Sequence, residues 1–217
     1  MAGMLCRRAF VFLVAMGGGV LSASAVRAPE SKPVADARVY ARDLAGRPVR
    51  SLGERGTRAV VLYFVASDCP ISNRTFPEMK RVREAFAGQA VRFWFVYANH
   101  GESVAAVRVH QASFDAGGEA ILDTDGALAR MTGAKVTPEV AVLTPAAGTG
   151  QARWVVRYTG RIDDRYVRLG LERPQAKEHF VERVVREVLD GKPVEQATGT
   201  PVGCGIVGPE ASVGSGR

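Results

Sequence analysis

Ala59-Val60-Val61-Leu62-Tyr63-Phe64-Val65, followed by Ala66-Ser67-Asp68-Cys69-Pro70-Ile71-Ser72-Asn73, is the stretch on which the reading of this chain turns. Seven apolar residues in a row predict a strand buried on both faces, as in the middle of a sheet covered by helices. Proline is favoured at the first helical position, so Pro70 predicts that a helix starts there with Cys69 as its N-cap. A thiol so placed faces free backbone N–H groups and the positive end of the helix dipole, and both favour thiolate. Ser72 comes one turn later on the same helix end and can donate a hydrogen bond to the sulfur. Asp68 acts in the opposite sense, because a neighbouring negative charge raises a thiol pKa. A buried structural cysteine is the plainer reading, since free cysteine is among the most buried residue types.

Working outward, strands and helices alternate. Arg38–Leu52 reads as a hairpin turning at Ala45-Gly46-Arg47-Pro48. Ile71–Ala87 reads as a helix, Val91–Ala98 as a second buried strand, and Ser103–Asp115 as a helix. A strand over Glu119–Leu122 and a short helix over Gly126–Thr132 follow. Glu139–Leu143 and Arg153–Tyr158 predict an antiparallel pair. Ala176–Leu189 closes the body as a helix with Val181, Val184, Val185 and Val188 on one face. The pattern predicts one α/β domain over 38–192, a central mixed β-sheet flanked by helices. Residues 193–217 are Gly-rich without periodicity, hence a flexible tail carrying Cys204.

The 217 residues are 47% hydrophobic and 24% charged, which excludes a disordered, collagen-like or multi-span chain. A net charge of +7 could suggest nucleic acid, yet Arg outnumbers Lys 24 to 5 and no basic run stands out. That bias suits a GC-rich genome, and no nucleic-acid partner is expected. Residues 1–25 carry Arg7 and Arg8, an apolar stretch to about Leu21, and Ala23-Ser24-Ala25, which together predict a signal peptide. Residues 26–37 read as a linker. Export to a bacterial periplasm follows as an expectation, with no membrane contact beyond the signal segment. An uncleaved anchor is the alternative. Cleavage after Ala25 removes Cys6, lowers the charge from +7 to +5, and leaves two cysteines, Cys69 and Cys204.

Ala66-Ser67-Asp68-Cys69-Pro70-Ile71-Ser72, Pro77, Val136-Thr137-Pro138-Glu139 and Gly160-Arg161-Ile162-Asp163-Asp164-Arg165-Tyr166 resemble motifs of the thioredoxin-like superfamily. The resemblance is to its exported redoxins of the alkyl hydroperoxide reductase/thiol-specific antioxidant-like type, over about residues 36–191. It implies a thioredoxin-like sandwich and a thiol–disulfide oxidoreductase. Cys69 stands at the nucleophile position, and Ser72 where the second cysteine of C-x-x-C would stand, making the site monothiol. Pro77 matches the proline that kinks the active-site helix. Pro138 matches the cis-proline, with Thr137 packing beside Cys69 and shaping the substrate groove. Arg161, at the end of the strand bordering that groove, would either lower the Cys69 pKa or join an ion-pair network with Asp163 and Asp164. Two positions depart from the peroxiredoxin pattern: Leu62 and Ala66 stand where P-x-x-x-[TS]-x-x-C places proline and Thr/Ser. Peroxidase activity is therefore disfavoured. Asp68 also replaces the tryptophan that precedes the nucleophile.

With no thiol one turn from Cys69, Cys204 on the glycine-rich tail, or an external thiol, is the candidate resolving partner. A permanent disulfide pinning the tail, or an unpaired thiol, are the alternatives. The expected partners are protein or small-molecule thiols and disulfides, with no cofactor and no metal. His100, His110 and His179 are scattered without ligand spacing. Asp123, Asp125 and Gly126 read as a turn, and Trp94 and Tyr97 as core. A non-catalytic redoxin-fold binding module or a metal-delivery protein is the rival class.

Overall fold

The computed structural model describes residues 39–117, 119–148 and 153–209. The expected signal peptide (1–25) and linker (26–37), and the last part of the tail, lie outside the described residues. The hairpin is β1 (Ala41–Asp43) and β2 (Pro48–Val49), its turn closed by Asp43 Oδ1, which accepts from the Ala45 and Arg47 N–H groups at 2.9 Å. Next come β3 (Ala59–Val65), α1 (Pro70–Ala85), β4 (Val91–Tyr97), α2 (Val104–Ser113), β5 (Glu119–Leu122) and α3 (Ala127–Thr132). The chain continues through β6 (Val136–Thr137), β7 (Glu139–Pro145), β8 (Trp154–Gly160), β9 (Tyr166–Arg168), β10 (Leu171–Glu172), α4 (Phe180–Leu189) and β11 (Cys204–Gly205). Among the described residues no helix is long and apolar enough to cross a membrane.

One sheet has the order β2-β1-β5-β4-β3-β7-β8. Strands β3, β4 and β5 are parallel, while β7 and β8 continue antiparallel beside β3. That places β3 in the middle, buried at every residue, and accounts for its unbroken apolar run. Val61, Tyr63 and Val65 face α1 and α4, where Met79, Val82, Val181, Val184 and Val185 complete one core. Val60, Leu62 and Phe64 face the other way, toward Leu128 of α3 and Trp154. The expected α/β sandwich with a mixed sheet is the observed architecture.

Two local differences have physical causes. Helix α4 starts at Phe180 rather than Ala176, because the Lys177 and Glu178 N–H groups donate to Asp164 Oδ1 at 2.6 and 2.9 Å. That ties 177–178 to the loop after β8 instead of to a helical turn. The glycine-rich tail is not free either. Through Pro209 it is docked, with β11 paired antiparallel to β6.

Helix α1 is anchored through Phe76, whose ring stacks on Phe95 at 5.1 Å and on Phe114 at 4.9 Å. Such pairs contribute about 0.5–1.5 kcal/mol each beyond their burial. Pro77 lies inside α1 and has no N–H to give to the carbonyl four residues back. Asp123 carries its negative charge into the turn before α3, accepting from the Leu128 and Ala129 N–H groups at 3.1 and 2.9 Å. It caps that short helix.

Candidate active site

Strand β3 delivers the chain to Ala66, and a tight loop brings Cys69 to the N-cap of α1, with Pro70 in its first turn. The Asn73 N–H donates to the Cys69 carbonyl at 3.0 Å. From the loop after the neighbouring β4, Glu102 clamps this loop: its two carboxylate oxygens accept from the Ser67 N–H at 2.9 Å and the Ser67 hydroxyl at 2.8 Å. Nothing in the local sequence marks Glu102, since the clamp bridges 35 residues.

The second wall is the loop around Pro138. The Thr137–Pro138 peptide is cis. Glu139 Oε2 accepts from the Lys135 and Val136 N–H groups at 2.7 and 3.1 Å, so a buried carboxylate folds this loop around itself. Thr137 is fully buried, and its carbonyl lies 3.1 Å from Cys69 Sγ. Thr137 thus stands beside Cys69, with Pro138 next in the chain.

The tail supplies the third wall. Cys204 lies opposite Thr137 in the β11–β6 pair, with its Sγ 2.9 Å from Cys69 Sγ. Both cysteines are free, Cys69 buried and Cys204 exposed. The pairing continues as Ile206 N–H donates to the Lys135 carbonyl at 2.9 Å. Val207 then joins the end of β4: its carbonyl accepts from His100 N–H at 2.7 Å, and its N–H donates to Asn99 Oδ1 at 3.0 Å. Gly203 makes this approach possible, because a Cβ there would sit 2.2 Å from the Thr137 carbonyl oxygen. Glycine content suggested freedom in the tail; at Gly203 it serves backbone-to-backbone contact instead.

The two thiols are electrostatically unequal. Burial opposes charge on Cys69, but the Cys204 thiol, the Ser72 backbone N–H and the nearby Ser72 and Thr137 hydroxyls outweigh it, so the Cys69 thiol lies below the ordinary range. The same contact, seen from Cys204, pushes its thiol up to about 11, with burial and the charges of Cys69 and Asp68 adding to it. Asp68 thus bears on the partner thiol. The Ser72 hydroxyl is fully buried and completes no full hydrogen bond of its own, so it acts on Cys69 as a nearby dipole. Thiolate is the nucleophile, and a lowered pKa means that its fraction at Cys69 rises at lower pH than in an ordinary thiol. A pH series of iodoacetamide labelling, read separately at each cysteine, is expected to place the Cys69 midpoint below that of an ordinary thiol. Cys204 should label only toward pH 11. Ser72→Ala should move the Cys69 midpoint upward, and an unmoved midpoint would remove Ser72 from the site.

Arg161 is held by backbone oxygens beside the Pro138 loop, and its charge acts on Asp164. Its guanidinium donates to the carbonyl of Asp163 at 3.2 Å and to that of Tyr166, which braces the loop after β8. It also lines a cavity of about 20 Å³ shared with Thr75, Pro138, Ile162, Pro201 and Val202. Its reach goes to backbone oxygens because the chain doubles back beside it at β9, an element the sequence did not mark. His110 is more engaged than a scattered histidine. Its Nε2 is 2.7 Å from Asn73 Oδ1 and its Nδ1 is 2.7 Å from Tyr97 OH, which in turn accepts from Gln111 Nε2 at 2.7 Å. Burial lowers the His110 pKa and keeps the ring neutral, which matches one donating and one accepting nitrogen. This chain of bonds ties the first turn of α1 to β4 and α2. His179 sits 2.8 Å from Glu78 Oε1 on the surface. Among the described residues no group of three His, Cys, Asp or Glu side chains is placed to hold a metal ion.

The AhpC/TSA family matches residues 32–165. A hypothetical protein from Sinorhizobium meliloti 1021 superposes with a TM-score of 0.61 at 19% identity, over 77% of this chain and 89% of that one. An uncharacterized conserved protein from Geobacillus kaustophilus gives a TM-score of 0.62 at 18% identity, over 82% and 89%. At such identities the likeness is one of fold, and the fold is thioredoxin-like. Comparison with curated proteins gives no match.

Proposed function

The chain belongs to the AhpC/TSA family, and from that premise we propose that it is an exported thiol–disulfide oxidoreductase with Cys69 as nucleophile and Cys204 as resolving thiol. The observation that carries the reading is the 2.9 Å approach of the two sulfurs across the β11–β6 pair, with Ser72 in the place of a helix thiol. Cys69 thiolate attacks one sulfur of a partner disulfide; that S–S bond breaks, a mixed disulfide forms, and the other partner sulfur leaves as thiolate. Cys204 then attacks Cys69 Sγ, forming the Cys69–Cys204 disulfide and releasing the second partner sulfur as a thiol once it takes up the proton Cys204 gave up. The partner gains two electrons and this chain loses two; an external dithiol restores it.

The electrostatics support this order. While Cys69 is an anion, its hydrogen bond and charge hold Cys204 protonated. In the mixed disulfide that charge is gone, so the Cys204 pKa falls at the step that needs its thiolate. Thr137 and Pro138 form the wall against which the partner sulfur is presented. Ala66 supplies no hydroxyl at the position where peroxiredoxins orient peroxide, and Leu62 replaces the motif's proline, which favours disulfide over peroxide as substrate. Arg7, Arg8 and Ala23-Ser24-Ala25 support export, and an oxidising compartment suits a redox pair.

The test is intact-mass and peptide analysis after oxidation by a model protein disulfide. The reading expects a chain lighter by two hydrogens and a linked peptide joining Cys69 to Cys204. In Cys204→Ser it expects a mixed disulfide trapped on Cys69. Two free thiols after oxidation would overturn it.

A further inference from the structure

Cys69 cannot meet an external disulfide where it stands. The residue is 1% exposed, and displacement at sulfur requires access for the incoming group. One side of the thiol is closed by Thr137, and the open side by the tail. We propose that residues 201–207 are a strap seated in the partner's place, and that Cys69 exchanges with a partner only after the strap has left. This rests on the exchange reading above and adds an obligatory step to it.

The fit of the strap is specific. It crosses the backbone of Thr137 and Pro138 so closely that any side chain at 203 would collide with the Thr137 carbonyl. Pro201 and Val202 close a cavity of about 20 Å³ over Thr75, Pro138, Ile162 and Tyr166. Departure of the strap therefore uncovers both the thiol and the groove beside it.

Its hold is light. The paired portion is only two residues long, and Cys204, Gly205 and Val207 are exposed. Segments with few buried contacts and exposed backbone hydrogen bonds open at the low end of a protein's local stabilities. Gly199, in the left-handed region at φ +83°, gives the strap a pivot where it leaves the body. Release makes and breaks no covalent bond. Cys69 thiolate then takes one sulfur of the partner disulfide and the other departs as thiolate. On its return, Cys204 displaces the partner sulfur from Cys69, and the proton Cys204 gives up goes to that leaving sulfur. The strap is thus both the bar to entry and the carrier of the resolving group.

The test measures iodoacetamide labelling of Cys69 by peptide mass spectrometry in the full chain, with Cys204→Ser as the common background. Gly203→Ala drives a methyl into the Thr137 carbonyl, and Ile206→Pro removes the N–H that bonds Lys135. Tryptophan fluorescence and a cooperative melt identify which variants keep the folded domain. Each folded variant is expected to label about tenfold faster or more than the background, as expected when a locally closed state is opened. A folded variant that labels at the background rate overturns the strap. Exchange with oxidised glutathione is followed in the same proteins. Faster labelling without exchange in any of them sustains the strap and sinks the exchange reading. Exchange with unchanged labelling does the reverse.

Discussion

Cys69→Ser is expected to abolish disulfide exchange, by on the order of a thousandfold or more, the scale on which loss of a covalent nucleophile is felt. A serine hydroxyl stays protonated at neutral pH, so the N-cap that stabilises a thiolate has no anion to stabilise. The fold should survive, because serine nearly matches the volume of cysteine and its O–H can donate to the Thr137 carbonyl, now 3.1 Å from the sulfur. Circular dichroism should therefore be unchanged while turnover of a model protein disulfide disappears. Cys204→Ser should behave differently, still attacking but stalling as a mixed disulfide. If Cys69→Ser keeps its activity, the exposed Cys204 is the true nucleophile and the assignment of roles is reversed.

Oxidation of the pair should raise stability by up to about 5 kcal/mol in the chain-entropy treatment of cross-links. The bond would span 135 residues, and closing so long a loop removes much of the freedom of the unfolded chain while requiring no rearrangement of an already paired β11. For a protein of this size the increment corresponds to a rise in Tm of about 10–20 °C at most. Thermal melts of oxidised and dithiothreitol-reduced wild type should differ by an amount in this range. Cys204→Ser should melt alike under both conditions, at the reduced wild-type value within about 1 kcal/mol, as for a surface substitution. Equal melts for oxidised and reduced wild type would show that no such cross-link forms.

Much of this was legible in the chain itself. The apolar run Ala59–Val65 announced a central strand because burial on both faces leaves no polar position in it. Cys69 could be placed at the N-cap because proline at the next position is favoured in the first turn of a helix. Both are signals of immediate neighbours. Glu102, His110 and Glu139 carried no comparable signal, since each acts on a partner through a hydrogen bond that depends on how elements pack. The tail shows the difference most sharply. Its glycines read as flexibility, yet Gly203 is there to let two backbones touch.

The sequence by itself determined the main strands and helices, their order and the placing of Cys69 at the start of α1, because burial periodicity and helix capping act over a few residues. Only the tertiary structure decided what stands next to Cys69. It brings Cys204 to 2.9 Å from a residue 135 positions away, directs Arg161 to backbone carbonyls instead of the thiolate, and lays the tail across Thr137. Contacts of that range follow from sheet order and register, which the spacing of residues along the chain does not encode.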